Sequence, residues 1–248
     1  MSLAAPTTAY VCAVVFLATL IRSTLGFGEA LVAVPLLALR LPVAVAAPLA
    51  VLVSLLVAGV IVAQDWRSVE LRSAGGLILS ALAGIPLGLL LLAKGDDRMV
   101  KSLLGGVIVA FSLYSLAGRA RPHLERDHWG WLLGCGFVSG VLGGAYGMNG
   151  PPLVVYGSLR RWSPQHFRAT LQGYFLAASL AGLLGYVALG FWRPETTRCF
   201  LVSLPAIAAA VWLGRALNRR MRGDGFFRVV YAGLLVTGGV LIAQAAAA

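Results

Sequence analysis

The chain is short of nearly everything a soluble enzyme uses. Only 12% of its 248 residues are charged, nine of them acidic, and three are histidines. Soluble domains carry about 25% charged residues. The three cysteines, Cys12, Cys135 and Cys199, lie far apart and form no CxxC pair or Cys/His cluster. That spacing excludes a disulfide framework, a zinc site of ordinary ligand spacing and a haem attachment. HExxH, GxSxG and GxxxxGK are absent, so the sequence predicts neither an enzyme nor an ATP-driven pump, and it names no cofactor and no metal. The net charge of +11 does not point to nucleic acid, because the basic residues form no long solvated run and instead punctuate apolar stretches. In a membrane protein that pattern sets topology.

What is present is apolar sequence. Hydrophobic residues make up 59% of the chain, and the mean hydropathy is +0.87. A membrane-spanning helix needs about 20 apolar residues, which leaves room for seven or eight crossings and no appended soluble domain. Apolar segments run over 7–39, 43–63, 74–93, 99–117, 129–158, 167–190, 199–217 and 226–246. They are continuous rather than alternating, so the fold predicted is an all-α polytopic bundle with lipid around it, not a β-barrel. The first segment reads as part of the protein and not as a cleaved signal, because no basic residue precedes Arg22. With eight single crossings, twelve Lys and Arg residues fall on one side and seven on the other. The larger set belongs in the cytoplasm, with both termini outside.

The chain repeats itself. Trp66-Arg67 with Gly88 recurs as Trp192-Arg193 with Gly214, and Pro42 with Leu49 recurs as Pro164 with Leu171. Leu25-Gly26-Phe27-Gly28 has its counterpart near Ala145-Tyr146-Gly147. The expected organisation is therefore two membrane repeats, 1–120 and 121–248, within one integral membrane domain. Duplicated, glycine-interrupted segments at matching positions are the sequence mark of a secondary transporter and of its binding site. Each long first segment is either a broken helix crossing once or a helix plus a re-entrant stretch. The first gives parallel halves; inverted halves need an odd number of crossings.

The chemistry is expected at the two breaks, Arg22 to Glu29 and Gly143 to Pro152. Glycine is poor in a helix interior, and Pro151 and Pro152 suit a fresh helix start. Such a start offers unpaired N–H groups and a partial positive charge to an anion. The candidate substrate-binding residues are Arg22, Gly26, Phe27, Gly28, Tyr146, Gly147, Asn149 and Gly150. An arginine deep in an apolar segment faces a partner or a water-filled cavity, and its planar fork matches an oxyanion. The alternatives are a structural pair between Arg22 and Glu29, seven residues on, or an Arg22 that reaches the surface.

Glu29, Arg168 and Gln172 are the candidates for coupling or gating. Glu29 is the one acid within the apolar segments and the natural partner for protons, although an arginine beside it holds it ionised. Arg168 opens the sixth segment, where a snorkel to the interface competes with a gate. Gly136, Gly140 and Gly144, four residues apart, read as a close helix-packing face. A passive anion channel and a non-transporting scaffold are the other classes compatible with this pattern, and oligomerisation is left open.

At Arg22-Ser-Thr-Leu-Gly-Phe-Gly-Glu-Ala-Leu-Val-Ala-Val-Pro35, at Gly143-Gly-Ala-Tyr-Gly-Met-Asn-Gly-Pro-Pro152 and at Phe167-Arg168-Ala169-Thr170, the chain resembles the sulfite exporter TauE/SafE family of permeases, also called toluene sulfonate uptake permeases. The likeness covers nearly the whole chain. It implies a multi-pass bacterial inner-membrane protein that moves small sulfur-containing anions such as sulfite, sulfoacetate or other organosulfonates, with export favoured. Glu29 departs from the family's run of glycines and sets a negative charge beside the presumed anion site.

Overall fold

A computed structural model describes residues 5–65, 71–117, 128–160, 162, 164–220 and 225–247. The described residues form ten helices and no strand: α1 (Ala5–Leu25), α2 (Glu29–Ala38), α3 (Val43–Asp65), α4 (Leu71–Lys94), α5 (Asp97–Leu116), α6 (Trp129–Tyr146), α7 (Gly150–Leu159), α8 (Pro164–Ala188), α9 (Pro194–Arg220) and α10 (Gly225–Ala247). Six of them, α1, α3, α4, α5, α8 and α9, are long and apolar enough to cross a membrane by length and composition. The protein is a multi-pass membrane protein. Leucine, valine and tryptophan on its outer faces are widely exposed, among them Leu79, Trp212 and Val236, as lipid contact requires.

The eight apolar segments become ten helices because the two longest each divide at the expected glycines. Gly26 and Gly28 take φ of 87° and 95°, and Gly147 takes 67°. A side chain is strained in that left-handed region, which is why glycine occupies it. The first break reverses the chain. Were α2 to continue straight on from α1, Tyr10 and Leu36 would lie roughly 39 Å apart at 1.5 Å per residue. Instead the Tyr10 hydroxyl donates to the Leu36 carbonyl, and the Arg40 guanidinium sits 4.6 Å from the Tyr10 ring centroid. So α2 folds back along α1 as a helical hairpin. In the second break α7 returns beside α6, and the two wall one groove that holds Trp131 and Val138 together with Pro152 and Val155.

Four helix pairs carry the packing: α1 with α9, α4 with α6, α5 with α10, and α3 with α8. Glycine sets the spacing of the second pair, as the four-residue pattern predicts. A β-carbon at Gly136 would meet Leu77 and Ser80, at Gly140 Ala81, and at Gly144 Ile85 and Leu89. The opposing helix answers in kind, since one at Gly84 or Gly88 would run into the backbone of Phe137 or Val141. Without a hydrophobic driving force between helices in lipid, this backbone approach supplies the van der Waals contact. On the other side Gly214 of α9 lets that helix lie against Leu20 and Ser23 of α1.

Candidate functional site

The two hairpin tips meet between α3 and α8. They enclose a void of about 20 Å³, room for roughly one water, lined by Arg22, Phe27 to Leu31, Ser54, Gly147 to Pro151 and Phe175. Both breaks thus face one space, and most of the candidate residues line it. Ser54, which touches Arg22, is the middle residue of α3 (Val43–Asp65), eleven residues from either end. The void therefore lies far from both ends of a helix roughly 34 Å long.

Arg22 is the hub. It is 2% exposed and neither end of it reaches the surface. Its Nη1 donates to Glu29 Oε2 at 2.5 Å and to Ser54 Oγ at 2.6 Å, and its Nη2 donates to Gln172 Oε1 at 3.2 Å. Phe175 lies against the guanidinium at 5.1 Å from ring centroid to Cζ. The structural pair with Glu29 is thus formed, in the wall of the cavity rather than away from it. A buried guanidinium costs several kcal/mol unless its donors are matched, and α1, α2, α3 and α8 together form the cluster that matches it. Arg22 Nε and Glu29 Oε1 remain buried with no partner among the described residues.

Gln172 does double duty, because its Nε2 also donates to the Gly26 carbonyl at 2.8 Å. It holds both the arginine and the first break. The second break has a matching brace from the same helix. Tyr174 Oη donates to Ser139 Oγ at 2.8 Å, and Ser139 Oγ donates to the Asn149 carbonyl at 2.5 Å. Tyr186 Oη donates to the Gly144 carbonyl at 2.9 Å. Helix α8 thereby ties both tips together, and the Ser179 hydroxyl donates to Ser54 Oγ of α3 at 3.3 Å.

The two tips differ in what they offer. At the start of α2, Glu29, Ala30 and Leu31 line the void, and a helix's first N–H groups have no intrahelical acceptor. At the start of α7, Pro151 and Pro152 follow Gly150 and bring no N–H at all. The pair of amide cradles expected from sequence is therefore lopsided: the first tip offers three consecutive amides, while the second offers that of Gly150 and brings Asn149, whose Oδ1 is buried without a partner among the described residues.

Tyr146 stands apart from the other candidates. It does not line the void, and its hydroxyl donates to the Val100 carbonyl of α5 at 3.0 Å. An aromatic residue ending a helix directs its side chain by the local turn, which spacing along the chain does not reveal. Arg168 belongs to α8 by its backbone, but its side chain lies outside the described residues. The adjacent Phe167 packs edge to face on Phe27 at 5.9 Å. Ser54, Ser139, Tyr174, Phe175 and Ser179 were not singled out from sequence. The signal for the serines was available, since each is a hydroxyl in an apolar helix.

Gly143 supplies a mild probe of the second tip, because a β-carbon there would overlap only the Asn149 side chain. Gly143→Ala is expected to turn that amide out of the void with a melting temperature within a few degrees of the native one. Melting curves of the variant and the native protein side by side check this.

Two helical hairpins that close end to end on a buried polar void, inside a bundle faced with exposed leucine and valine, form the arrangement expected of a membrane transport protein. The sequence profile of the family described as sulfite exporter TauE/SafE matches residues 11–242. The chain belongs to that family. A curated relative from Cupriavidus necator, named "Probable sulfite/organosulfonate exporter TauE", is 27% identical over 184 residues, which cover 74% of this chain and 71% of that protein. No solved structure matches the chain.

Proposed function

We propose that the protein is a secondary transporter of small sulfur-containing oxyanions, sulfite or an organosulfonate, working as an exporter in a bacterial inner membrane. The observation that carries this is the single void lined by both hairpin tips and by Arg22. The guanidinium supplies a fork suited to sulfonate oxygens, and the α2 amides supply the oxyanion-facing dipole. A sulfonate is larger than the void, so the tips must part to admit it. A site that opens to bind is the behaviour of a carrier rather than of a pore. Membrane potential alone is worth roughly 2.3 kcal/mol per 100 mV for a monovalent anion leaving a negative interior.

The hairpins also carry a topology. We propose that each hairpin enters and leaves on one side despite the span-length α1, so that α3, α4 and α5 cross in one half and α8, α9 and α10 in the other; with an odd number of crossings each, the halves 1–120 and 121–248 are inverted with respect to each other. Counted along the sequence, the loops after α3, α5, α7 and α9 then hold thirteen of the twenty Lys and Arg residues and the opposite side holds six, with Arg22 between. This is a sharper bias than twelve to seven and still leaves both termini outside. In a cysteine-free background, Leu41→Cys is expected to react with an impermeant thiol reagent from outside, and Arg161→Cys from the cytoplasm. Labelling of both from the cytoplasm refutes the inverted arrangement.

For transport itself, purified protein in liposomes is expected to show saturable sulfite or sulfonate flux with counterflow. Non-saturating conductance would make it a channel. Thermal stabilisation by phosphate, by cations or by neutral amino acids, without any by sulfur oxyanions, would overturn the substrate class.

A further inference from the structure

Arg22 meets an incoming anion with its charge already matched. Glu29 Oε2 holds its Nη1, and the other described charged side chains on helices packed against α2 are engaged elsewhere. Arg40 stacks on Tyr10 at the far end of α2, Lys101 pairs with Asp97, and Arg98 reaches the Ala246 carbonyl. The void that Glu29 lines is also bordered by Arg22 from α1, Ser54 from α3, Met148 and Asn149 from the second tip and Phe175 from α8. The face of Glu29 turned to the other side is met by aliphatic residues such as Val15, Ala33 and Leu49. Among these groups Arg22 alone carries a charge opposite to that of Glu29.

An oxyanion in this void and an ionised Glu29 would therefore share one guanidinium in a poorly solvated space, two negative charges against one positive. A proton resolves the conflict. It has a place to go, since Glu29 borders the void and its Oε1 is buried with no partner among the described residues. Protonated there, the carboxyl is neutral and carries an O–H donor instead of a charge that repels the anion. Arg22 Nη1 is released from its charged partner to bind the substrate.

We infer that Glu29 is a proton-binding site loaded together with the anion, so that each transported oxyanion travels with one proton. This rests on the anion site proposed above. Its consequence is a change of driving force, because a monovalent anion plus a proton is neutral and follows the pH difference rather than the membrane potential. Export then runs on the outward gradient of the substrate itself, and the membrane-potential contribution that applies to the bare anion falls away.

The test uses full-length protein and methanesulfonate, a probe that stays ionised across the working pH range. In liposomes with the membrane potential clamped to zero by potassium and valinomycin, an inward methanesulfonate gradient is expected to acidify the lumen, read by an entrapped carboxyfluorescein-type dye, at about one proton per anion. Titration calorimetry in two buffers of different ionisation enthalpy should likewise give one proton taken up per anion bound. The apparent affinity should weaken about tenfold per pH unit once Glu29 is ionised in the unliganded protein. Glu29→Gln is expected to take up no proton on binding and to lose the pH dependence of affinity.

Anion flux without acidification in the native protein, or proton uptake that persists undiminished in Glu29→Gln, overturns the inference while leaving the transporter intact. No flux and no binding of any sulfur oxyanion in the native protein overturns the anion site and the proton site together. Because the calorimetric and dye measurements use the native protein, they decide the matter even if Glu29→Gln does not fold.

Discussion

Replacing Arg22 by Ala is expected to reduce sulfonate flux to the level of protein-free liposomes and to destabilise the protein by about 3–5 kcal/mol, the usual cost of stranding one partner of a buried ion pair. The two effects have different causes and separate experimentally. Stability is lost because Glu29 is left buried without its ion-pair partner, while Ser54 Oγ and Gln172 Oε1 lose their donor. Flux is lost because no positive charge remains in the void. Combining Arg22→Ala with Glu29→Ala should therefore recover much of the melting temperature and none of the transport. If the double variant regains flux, the guanidinium is a strut and not a ligand. Arg22→Lys is expected to fall between, since an ammonium is a point charge and loses the fork that spans Ser54 and Gln172.

The second large effect lies away from the void, in the seam between α4 and α6. Gly140→Val should prevent recovery of monodisperse folded protein, because even a β-carbon at this position overlaps the backbone of Ala81. Overpacking into side chains costs about 1–3 kcal/mol; backbone cannot rotate aside, so the loss here should be at the top of that range or above it. The same helix supplies the control. A β-carbon at Gly134 would find nothing within 4 Å, and Gly134→Ala should be neutral or stabilise by about 0.5–1 kcal/mol through helix propensity. Size-exclusion profiles and melting curves of the two variants side by side give the answer. Equal behaviour would mean that the seam is not what holds the second hairpin in place.

Much of this architecture is legible in the sequence because lipid leaves few choices. Long apolar runs must be helices, and glycines clustered inside them must be breaks or close contacts; Gly26 and Gly28 proved the former, Gly136, Gly140 and Gly144 the latter. Arg22 announces itself, since a guanidinium in an apolar segment demands company. The direction of the chain after each break is another matter. A reversal and a straight continuation share the same glycines, and only a long-range contact such as Tyr10 to Leu36 separates them. Tyr146 and Gln172 show the same limit at the level of one side chain. Both are polar residues at apparently similar depth, yet the first turns to α5 and the second to Arg22, because orientation depends on neighbours contributed from elsewhere in the chain.

The size of the central void has a bearing on kinetics. With only about 20 Å³ between the tips, this compact arrangement has no room for a sulfonate, and binding of one would have to draw on an opened form. Apparent affinity is then the intrinsic affinity scaled by the opened form's share. Half-saturation is weakened in proportion, and a substitution that props the tips apart should tighten capture while slowing the return stroke.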